Sequence, residues 1–508
     1  MTDPDVHNVH DVAVSAVTEI NSAAYDAVVV VTQPGAPSVQ ALEDFIAAAL
    51  QLDRGLEKNI AVLSCPRVSG GRLVLSPTGP ITPYDDVRSV YEAARAGIVR
   101  AAAAGARRPV LVLRPGAAWK RAALVTLLGA LEALYVPLQV RESFPAQAHR
   151  LAALGVYGEG VGALQTLVRE AAALELARGV SRDIGGADPE RMTPAAVAAY
   201  VRGAFGPAVR VRVLDDPAAI AKNYPLFEAV NRCANKVDRH KGCVIFLDYE
   251  PKSYEQTVML VGKGVTYDTG GCDIKAGGVM AGMSRDKCGA AAVAGFLKAC
   301  ELLRPSLKVC AALCMVRNSV GSEAYVADEL IKSRRGLAVR VGNTDAEGRM
   351  IMADVLDEMR ERAEKEKNPH LYTVATLTGH AVRAYGEGYS IVMDNHAARA
   401  KGHAEAFRVA GDSVGDMVEV STIRREDLSA HGPRLPGDHV HQAANLPSTA
   451  MPRGHQGPAG FLLLTSGLAE GSTPYSHLDV AGSAGCLPAP PTAAPLLALA
   501  AHYKLIKS

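Results

Sequence analysis

The strongest constraint on what this chain can fold into is the alternation of short β-branched runs with Ala/Leu-rich stretches of helical period. YDAVVVVTQ (25–33), KNIAVLSC (58–65) and RPVLVLRP (108–115) are separated by stretches expected to be helical near 38–51 and 85–104. Such alternation specifies α/β layers. VGALQTLVREAAALELA, between about Gly160 and Ala177, has helical period, and SRDIGGADPERMTP after it reads as a linker from its Gly, Asp and Pro content. The alternation then restarts. A helix is expected near 194–203, then strands VRVRVLDD and QTVMLVG (256–262), a helix near 286–303, strands LKVCAALCMV (307–316) and AVRVG (338–342), a helix near 347–366, and strand LYTVATLTG (371–379). Continuously apolar strands among these, such as LKVCAALCMV, point to a sheet covered on both faces. The expected architecture is α/β in two domains, 1–178 with a linker helix and 179–508, each a mostly parallel or mixed sheet flanked by helices. In such sheets ligands gather at the carboxyl ends of the strands.

A length of 508 residues with 48% apolar content fits two such domains better than one. Lys plus Arg (54) nearly cancel Asp plus Glu (53), and no basic stretch carries interleaved aromatics, so no nucleic-acid partner is expected. The nine cysteines are scattered and form no CxxC pair, which points to a reducing compartment, with Cys310 and Cys314 as small buried hydrophobes in a strand. MTDPDVHNVHDV has no basic region followed by an apolar one, and no apolar run approaches the roughly 20 residues of a membrane span. The expected location is the cytoplasm, with no membrane partner.

The segment richest in chemistry is NTDAEGR, Asn343 to Arg349, which sets Asp345, Glu347 and Arg349 between an apolar run and a helical one. Two carboxylates two positions apart share one crevice only if the backbone bends, which Ala346 and Gly348 would permit. Alone, this run is equally well read as a helix cap, with Glu347 complementing the helix dipole. A second cluster, VGKGVTYDTGGCDIKAGGVM (261–280), carries Lys263, Asp268, Asp273 and Lys275 among six glycines. It contains neither GxxxxGK[ST] nor GxGxxG before a helix, so phosphate binding is set aside, and the glycines are read as sharp turns that let side chains converge. Asp286 follows at the start of a helical stretch, where alone it is an N-cap.

Gathered without neutralisation, Asp268, Asp286, Asp345 and Glu347 would repel one another severely. Divalent cations resolve that: four carboxylates can hold two ions about 3.5 to 4 Å apart, bridged by a water acidified toward hydroxide. Oxygen-rich ligation suits Mn²⁺, Mg²⁺ or Zn²⁺.

Together these segments resemble the cytosolic leucyl aminopeptidase family, whose signature is NTDAEGR and whose other motifs are similar to VGKGVTYDTGG, the Ile274-Lys275 pair and a Met-x-x-Asp before Gly-Ala-Ala. Order and spacing match from Val261 to Gly379. The match is weaker in RDIGGADPERMTP and in HLDVAG (477–482), and the first third shares only α/β character. The resemblance implies a metal-dependent aminopeptidase whose larger, C-terminal domain is catalytic and which hydrolyses N-terminal residues, leucine-like or broad, from short peptides by a bridging hydroxide. It implies Lys263 as a neutral amine ligand, Asp268 and Glu347 bridging both ions, Asp286 completing the Lys263 site and Asp345 serving the other. Zn²⁺ or Mn²⁺ would be bound, with Mg²⁺ or Co²⁺ possible. Lys275 and Arg349 would be the catalytic pair, with Lys275 stabilising the oxyanion and Arg349 holding bicarbonate. Met283, Thr376, Leu377, Thr378 and Gly379 would contact substrate, and the assembly would be a homohexamer. An amine ligates only when deprotonated, so Lys263 in this role needs the ions beside it.

The chain departs from the family in two places. Ser284, Arg285, Lys287 and Cys288 surround Asp286, and either cation, turned inward, would compete with metal. HGPRLPGDHVHQAANLPSTAMPRGHQGPAG (431–460) also differs, and substrate preference is open there. Its histidines (His431, His439, His441, His455) fit no common zinc spacing and are expected on loops or the surface. The alternatives are a catalytically silent member acting as a structural or binding hexamer, a nucleic-acid-binding role, and a dipeptidase of narrow specificity.

Overall fold

A computed structural model describes residues 5–35, 39–113, 119–148 and 151–507. Residue 38 of the first expected helix and residues 114–115 of RPVLVLRP lie outside the described residues. The chain forms two compact units, one of Met1–Gly179 with Asp412–Gly415 and Ile506–Ser508, the other of Val180–Gly411 and Asp416–Leu505.

The first unit holds strands β1 (Val6–Val9), β2 (Val12–Val17), β3 (Ala27–Thr32), β4 (Ala61–Ser64), β5 (Arg72–Pro77), β6 (Pro109–Val112) and β7 (Ala153–Tyr157), in the order β1-β2-β7-β6-β3-β5-β4. The five central strands are parallel and both edges antiparallel. Val28, Val30, Leu73, Leu75, Val110 and Val112 form its core, which is why VVVV and VLV runs lack polar alternation.

The second unit holds β8 (Val209–Leu214), β9 (Cys243–Tyr249), β10 (Thr257–Asp268), β11 (Lys308–Asn318), β12 (Leu330–Lys332), β13 (Ala338–Arg340), β14 (Pro369–Ala375), β15 (Ser390–Asp394), β16 (Val418–Val420), β17 (Val440–His441) and β18 (Tyr475–Asp479). The main sheet runs β16-β15-β18-β14-β10-β11-β9-β8, and its middle four strands, β18, β14, β10 and β11, are parallel. The expected mixed, mostly parallel α/β fold is therefore present. Helices Cys288–Leu303 and Glu347–Ala363 each pack on β10, β11 and β14.

Four local expectations change. AVRVG does not join the main sheet: β13 pairs with β12 and β17 in a separate three-stranded sheet. QTVMLVG continues six residues to Asp268, because Gly262 and Gly264 are strand residues, not turns. A Cβ at Gly262 would lie 2.6 Å from Ala290 Cα, so this glycine admits the helix Cys288–Leu303 close to the sheet. SRDIGG is not a linker but the end of the helix Val161–Gly186; Gly185 faces Cys288 Sγ, where a Cβ would sit 2.9 Å away. The interval 430–455 is loop-dominated as expected, with only the two-residue β17 and a 3₁₀ turn, Ser448–Ala450, in it, but its histidines are not on the surface: His431, His441 and His455 are buried, and of the four only His439 is exposed. Among the described residues no helix is long and apolar enough to cross a membrane.

Candidate metal centre

β10 is the central positioning element. It is buried along its length, and its carboxyl half directs Lys263 and Asp268 toward the end of the sheet. Gly270 and Gly271, at φ 88° and 65°, then reverse the chain so that Lys275 returns beside Asp268. Lys263 Nζ lies 2.8 Å from Asp286 Oδ1 and 2.9 Å from Glu347 Oε1, and donates to the Thr376 carbonyl at 3.0 Å. Lys275 Nζ lies 3.0 Å from Asp268 Oδ2 and 2.6 Å from Asp345 Oδ1.

Neither carboxylate run acts as a helix cap. The N-caps of Cys288–Leu303 and Glu347–Ala363 are Lys287 and Ala346, and neither makes a side-chain cap bond. Asp286 Oδ1 instead accepts from Thr376 Oγ1 at 2.9 Å. Ala346 bends the backbone as expected, at φ −101° and ψ 41°. Gly348 does something else: a Cβ there would lie 2.6 Å from Lys263 Cε and 2.8 Å from Leu377 Cδ1, so its smallness makes room for the lysine stem.

Asp268, Asp286 and Glu347 each offer a carboxylate oxygen, all within 4.8 Å of one another, and all three residues are buried. Burial raises the Asp286 carboxyl well above its usual range; Lys263 opposes this, while Glu347 and Asp268 add to it. Burial and the charges of Asp268 and Glu347 push Asp345 up to about 7 against the pull of Lys275. Glu347 is raised by burial and Asp268. Burial alone would lower both lysines, but the carboxylates outweigh it and raise both. Asp286 Oδ2 and Glu347 Oε2 are buried with no hydrogen-bond partner. Unpartnered carboxylate oxygens turned into a cluster of like charges suit a divalent cation, so these residues fit the expected metal.

Arg349 enters from the helix Glu347–Ala363, donates from Nη1 to the Gln442 carbonyl at 3.0 Å, and has a buried Nε without a partner. Burial pushes it down to about 10, with Glu347 and Tyr325 opposing. Thr376 reaches the cluster through its bonds to Lys263 and Asp286, Leu377 packs beside Gly348, Thr378 caps the helix Gly379–Tyr385, Gly379 faces Thr449, and Met283 is half-buried in a single 3₁₀ turn. The two cations flanking Asp286 turn away from it: Arg285 Nη2 donates to the Ala489 carbonyl at 2.6 Å, and Lys287 Nζ to the carbonyls of Ala187 (2.9 Å) and Ser284. Burial lowers Lys287 to about 8.

Several supporting residues lie outside the expected metal and catalytic set. Asn318 at the end of β11 donates to Asp268 Oδ1 (2.8 Å) and to the Thr344 carbonyl (3.1 Å), which also accepts from Tyr325. Asp273 Oδ2 accepts from Thr344 N at 2.7 Å, and Gln442 is bonded to Gly342, Asn343 and Ala346. Asp479 accepts from Leu377 N and Thr378 Oγ1; the HLDVAG resemblance was the one signal for it.

Residues 179–495 match the model of the cytosol aminopeptidase family, catalytic domain. A Caenorhabditis elegans protein bearing the name aminopeptidase W07G4.4 is 43% identical, across 96% of this chain and 97% of its own. A Chlamydia trachomatis serovar L2 protein named as a cytosol aminopeptidase is 32% identical over 60% of this chain and 58% of its own length. In fold, the chain is similar to the leucyl aminopeptidase of Trypanosoma cruzi (TM-score 0.80, 19% identity, 99% of this chain and 98% of that one). It is also similar in fold to the bottromycin maturation enzyme BotP solved in complex with Mn (0.78, 23%, 95% and 99%). With the family's catalytic domain spanning most of its length and a near full-length relative at 43% identity, this chain belongs to the cytosol aminopeptidase family.

Proposed function

We propose that the protein is a metal-dependent aminopeptidase that removes N-terminal residues, leucine-like or broad, from short peptides. The observation that carries this is the buried trio Asp268, Asp286 and Glu347, with unpartnered oxygens on Asp286 and Glu347. In this reading Lys263, Asp268, Asp286, Asp345 and Glu347 hold two divalent ions, Zn²⁺ or Mn²⁺, with Mg²⁺ or Co²⁺ as substitutes. When bound, such ions supply Lewis acidity to the scissile carbonyl and acidify water between them.

The remaining chemistry belongs to the chain. Lys263 ligates only as the free amine, so it must surrender the proton that its ion pairs with Asp286 and Glu347 now favour, and loading releases that proton. Lys275 is held by Asp268 and Asp345 as an ammonium, a donor for oxygen that becomes negative in the reaction; such a donor contributes about 3 to 4 kcal/mol. Arg349, with Nε unpartnered, is a fixed cation able to seat bicarbonate. Met283, Thr376, Leu377 and Gly379 line the approach of the peptide. A homohexamer in the cytoplasm, acting on peptides and not on nucleic acid, is the assembly this reading carries, in keeping with relatives named cytosol aminopeptidases.

The test is hydrolysis of aminoacyl anilides and dipeptides after chelation and re-addition of each metal, beside Asp345→Ala. Activity that disappears on chelation, returns with metal and is missing in the variant supports the reading. Activity that survives both removes it.

A further inference from the structure

Of the four charged residues in the segment 261–280, the metal and catalytic roles absorb Lys263, Asp268 and Lys275 and leave Asp273. Its carboxylate is engaged with the turn that follows β13. Asp273 Oδ2 accepts from Thr344 N at 2.7 Å, and Asp273 N donates to Thr344 Oγ1, also at 2.7 Å. The Thr344 hydroxyl has one hydrogen to give, and its shorter contact is with the Gly270 carbonyl at 2.7 Å, against 3.1 Å to Asp273 Oδ2. Three hydrogen bonds therefore clasp Thr344 to the loop 270–273. Thr344 is fully buried and its carbonyl is taken by Asn318 and Tyr325, so without Asp273 its amide would be left buried and unpaired.

The clasp lies one residue from Asp345 on one side and two residues from Lys275 on the other. The Lys275 main chain is tied on its N-terminal side, where Lys275 N donates to the Thr269 carbonyl at 2.9 Å, and Thr269 N and Oγ1 donate to the Asn318 carbonyl at 3.1 and 2.9 Å. Nothing comparable holds its C-terminal side. Residues 276–279 are exposed and make no hydrogen bond to another segment among the described residues, and Gly277 and Gly278 stand at φ 67° and 84° with open space where a Cβ would be. The ammonium of Lys275 is otherwise tethered only by Asp268 and Asp345. Both of those carboxylates also serve the ions in the reading above, whereas the clasp uses no ligand oxygen.

We infer that Asp273 is a positioning residue for the proposed reaction: through Thr344 it fixes the loop that carries Lys275 against the turn that carries Asp345, so that the ammonium stands in place before negative charge develops. The inference rests on the aminopeptidase reading above. A displacement of about 1 Å at such a group costs on the order of 100-fold in rate.

The deciding experiment measures leucyl anilide hydrolysis by the metal-loaded full chain in wild type, Asp273→Ala, Asp273→Asn, Lys275→Ala and the variant combining Asp273→Ala with Lys275→Ala. Mn²⁺ affinity is taken by calorimetry, and backbone amide exchange of residues 269–282 is followed in the metal-free proteins. Expected for Asp273→Ala is a kcat lower by about 10- to 100-fold with KM within about twofold, Mn²⁺ affinity kept, and faster exchange in 269–282. Asp273→Asn, which keeps a carbonyl oxygen for Thr344 N, recovers most of the rate. Lys275→Ala costs more, and the combined variant is no slower than Lys275→Ala alone, because Asp273 acts through that lysine. Losses that multiply in the combined variant overturn the inference. So do an unchanged kcat in Asp273→Ala, a loss confined to KM or matched by a loss of Mn²⁺ affinity, and an Asp273→Asn as slow as Asp273→Ala. If the wild type cleaves no substrate, the aminopeptidase reading fails separately, and exchange alone decides whether Asp273 fastens the loop: equal rates overturn it, and faster rates in Asp273→Ala support it.

Discussion

Each unit buries a cluster of charges, and the two clusters are built on opposite principles. In the first unit, Arg178 donates to Glu175 (3.0 Å), Glu132 (2.7 Å) and the Tyr91 hydroxyl, Arg95 meets Glu132 at 3.0 Å, and His10 meets Glu175 at 3.1 Å. Among these contacts two guanidiniums answer two carboxylates, so the opposite charges are matched one to one, although Arg178 Nε is left without a partner. In the second unit four carboxylates meet two ammoniums, Lys263 and Lys275, and two carboxylate oxygens find nothing. The sheets that carry these clusters are alike in having parallel centres. What separates them is what stands at the carboxyl ends: Thr32, Pro77, Val112 and Tyr157 in one, Asp268 and Asn318 in the other. A balanced buried cluster fastens a fold, and an unbalanced one is poised for a ligand that completes it.

The largest effect expected from breaking this contrast is on the unbalanced side. Asp345→Ala should lower kcat/KM by on the order of 10⁴-fold, about 5 kcal/mol of transition-state stabilisation. It should leave the Tm of the metal-free protein level or higher, because it removes one of four mutually repelling charges. A metal-free Tm that falls by many degrees would place Asp345 among structural residues. The mirror experiment is Arg178→Met, which strands Glu175 and Glu132. It should cost about 3 to 5 kcal/mol in denaturant unfolding of the first unit and leave Mn²⁺ affinity of the second unit as it was. Metal affinity that follows Arg178 would show that the two clusters are not independent.

The unbalanced cluster was the more legible of the two in sequence. Lys263, Asp268, Lys275, Asp286, Asp345, Glu347 and Arg349 fall in three compact motifs, and the structure brings them together. Their supports were less legible, because Asn318, Tyr325 and Gln442 act from separate strands and loops between 19 and 99 residues away from their partners in these motifs, where no local pattern marks them, and Asp479 was flagged only by the HLDVAG resemblance. Glycine misled twice for one reason. Gly262 in β10 and Gly185 in a helix serve close approach of neighbouring elements, with Ala290 and Cys288 against them, while sequence offers only the reading of glycine as a breaker. The balanced cluster left no signal at all, since Arg178 and Glu175 on one helix look like any exposed i,i+3 pair.

A third effect compares pH responses. His431 is buried, and although its ring nitrogens face the carbonyls of His441 (2.7 Å) and Gly457 (2.8 Å), burial with Arg349 nearby pushes it down to about 4. The unfolded ring titrates near 6.5. Its stabilising contribution is therefore fully present above pH 6.5 and is lost as pH falls from there through about 4, as the unfolded chain takes up a proton that the folded chain refuses. The loss amounts to about 3 kcal/mol. Urea unfolding of the second unit between pH 7 and 4 should show this slope, and His431→Gln should flatten it. An unchanged slope in the variant would assign the acid sensitivity to other groups.

The smallest effect separates a hydrogen bond that serves the metal from one that serves the fold. Asn318 Nδ2 bonds both Asp268 Oδ1 and the Thr344 carbonyl, so it fixes the carboxylate of β10 against the turn that carries Asp345. Supports of this kind change metal affinity by about 10- to 100-fold when removed. Ser76 in the first unit donates to the Ala93 carbonyl at 2.7 Å and is equally buried, but no unbalanced charge depends on it. Asn318→Ala should weaken Mn²⁺ binding within that range, whereas Ser76→Ala should cost about 1 kcal/mol of stability and no affinity. Since both substitutions remove a buried donor, a shared loss of stability is expected of each. Only the loss of affinity distinguishes them, and if Asn318→Ala retains full affinity, Asp268 is oriented by Lys275 and the Gly270 amide without it.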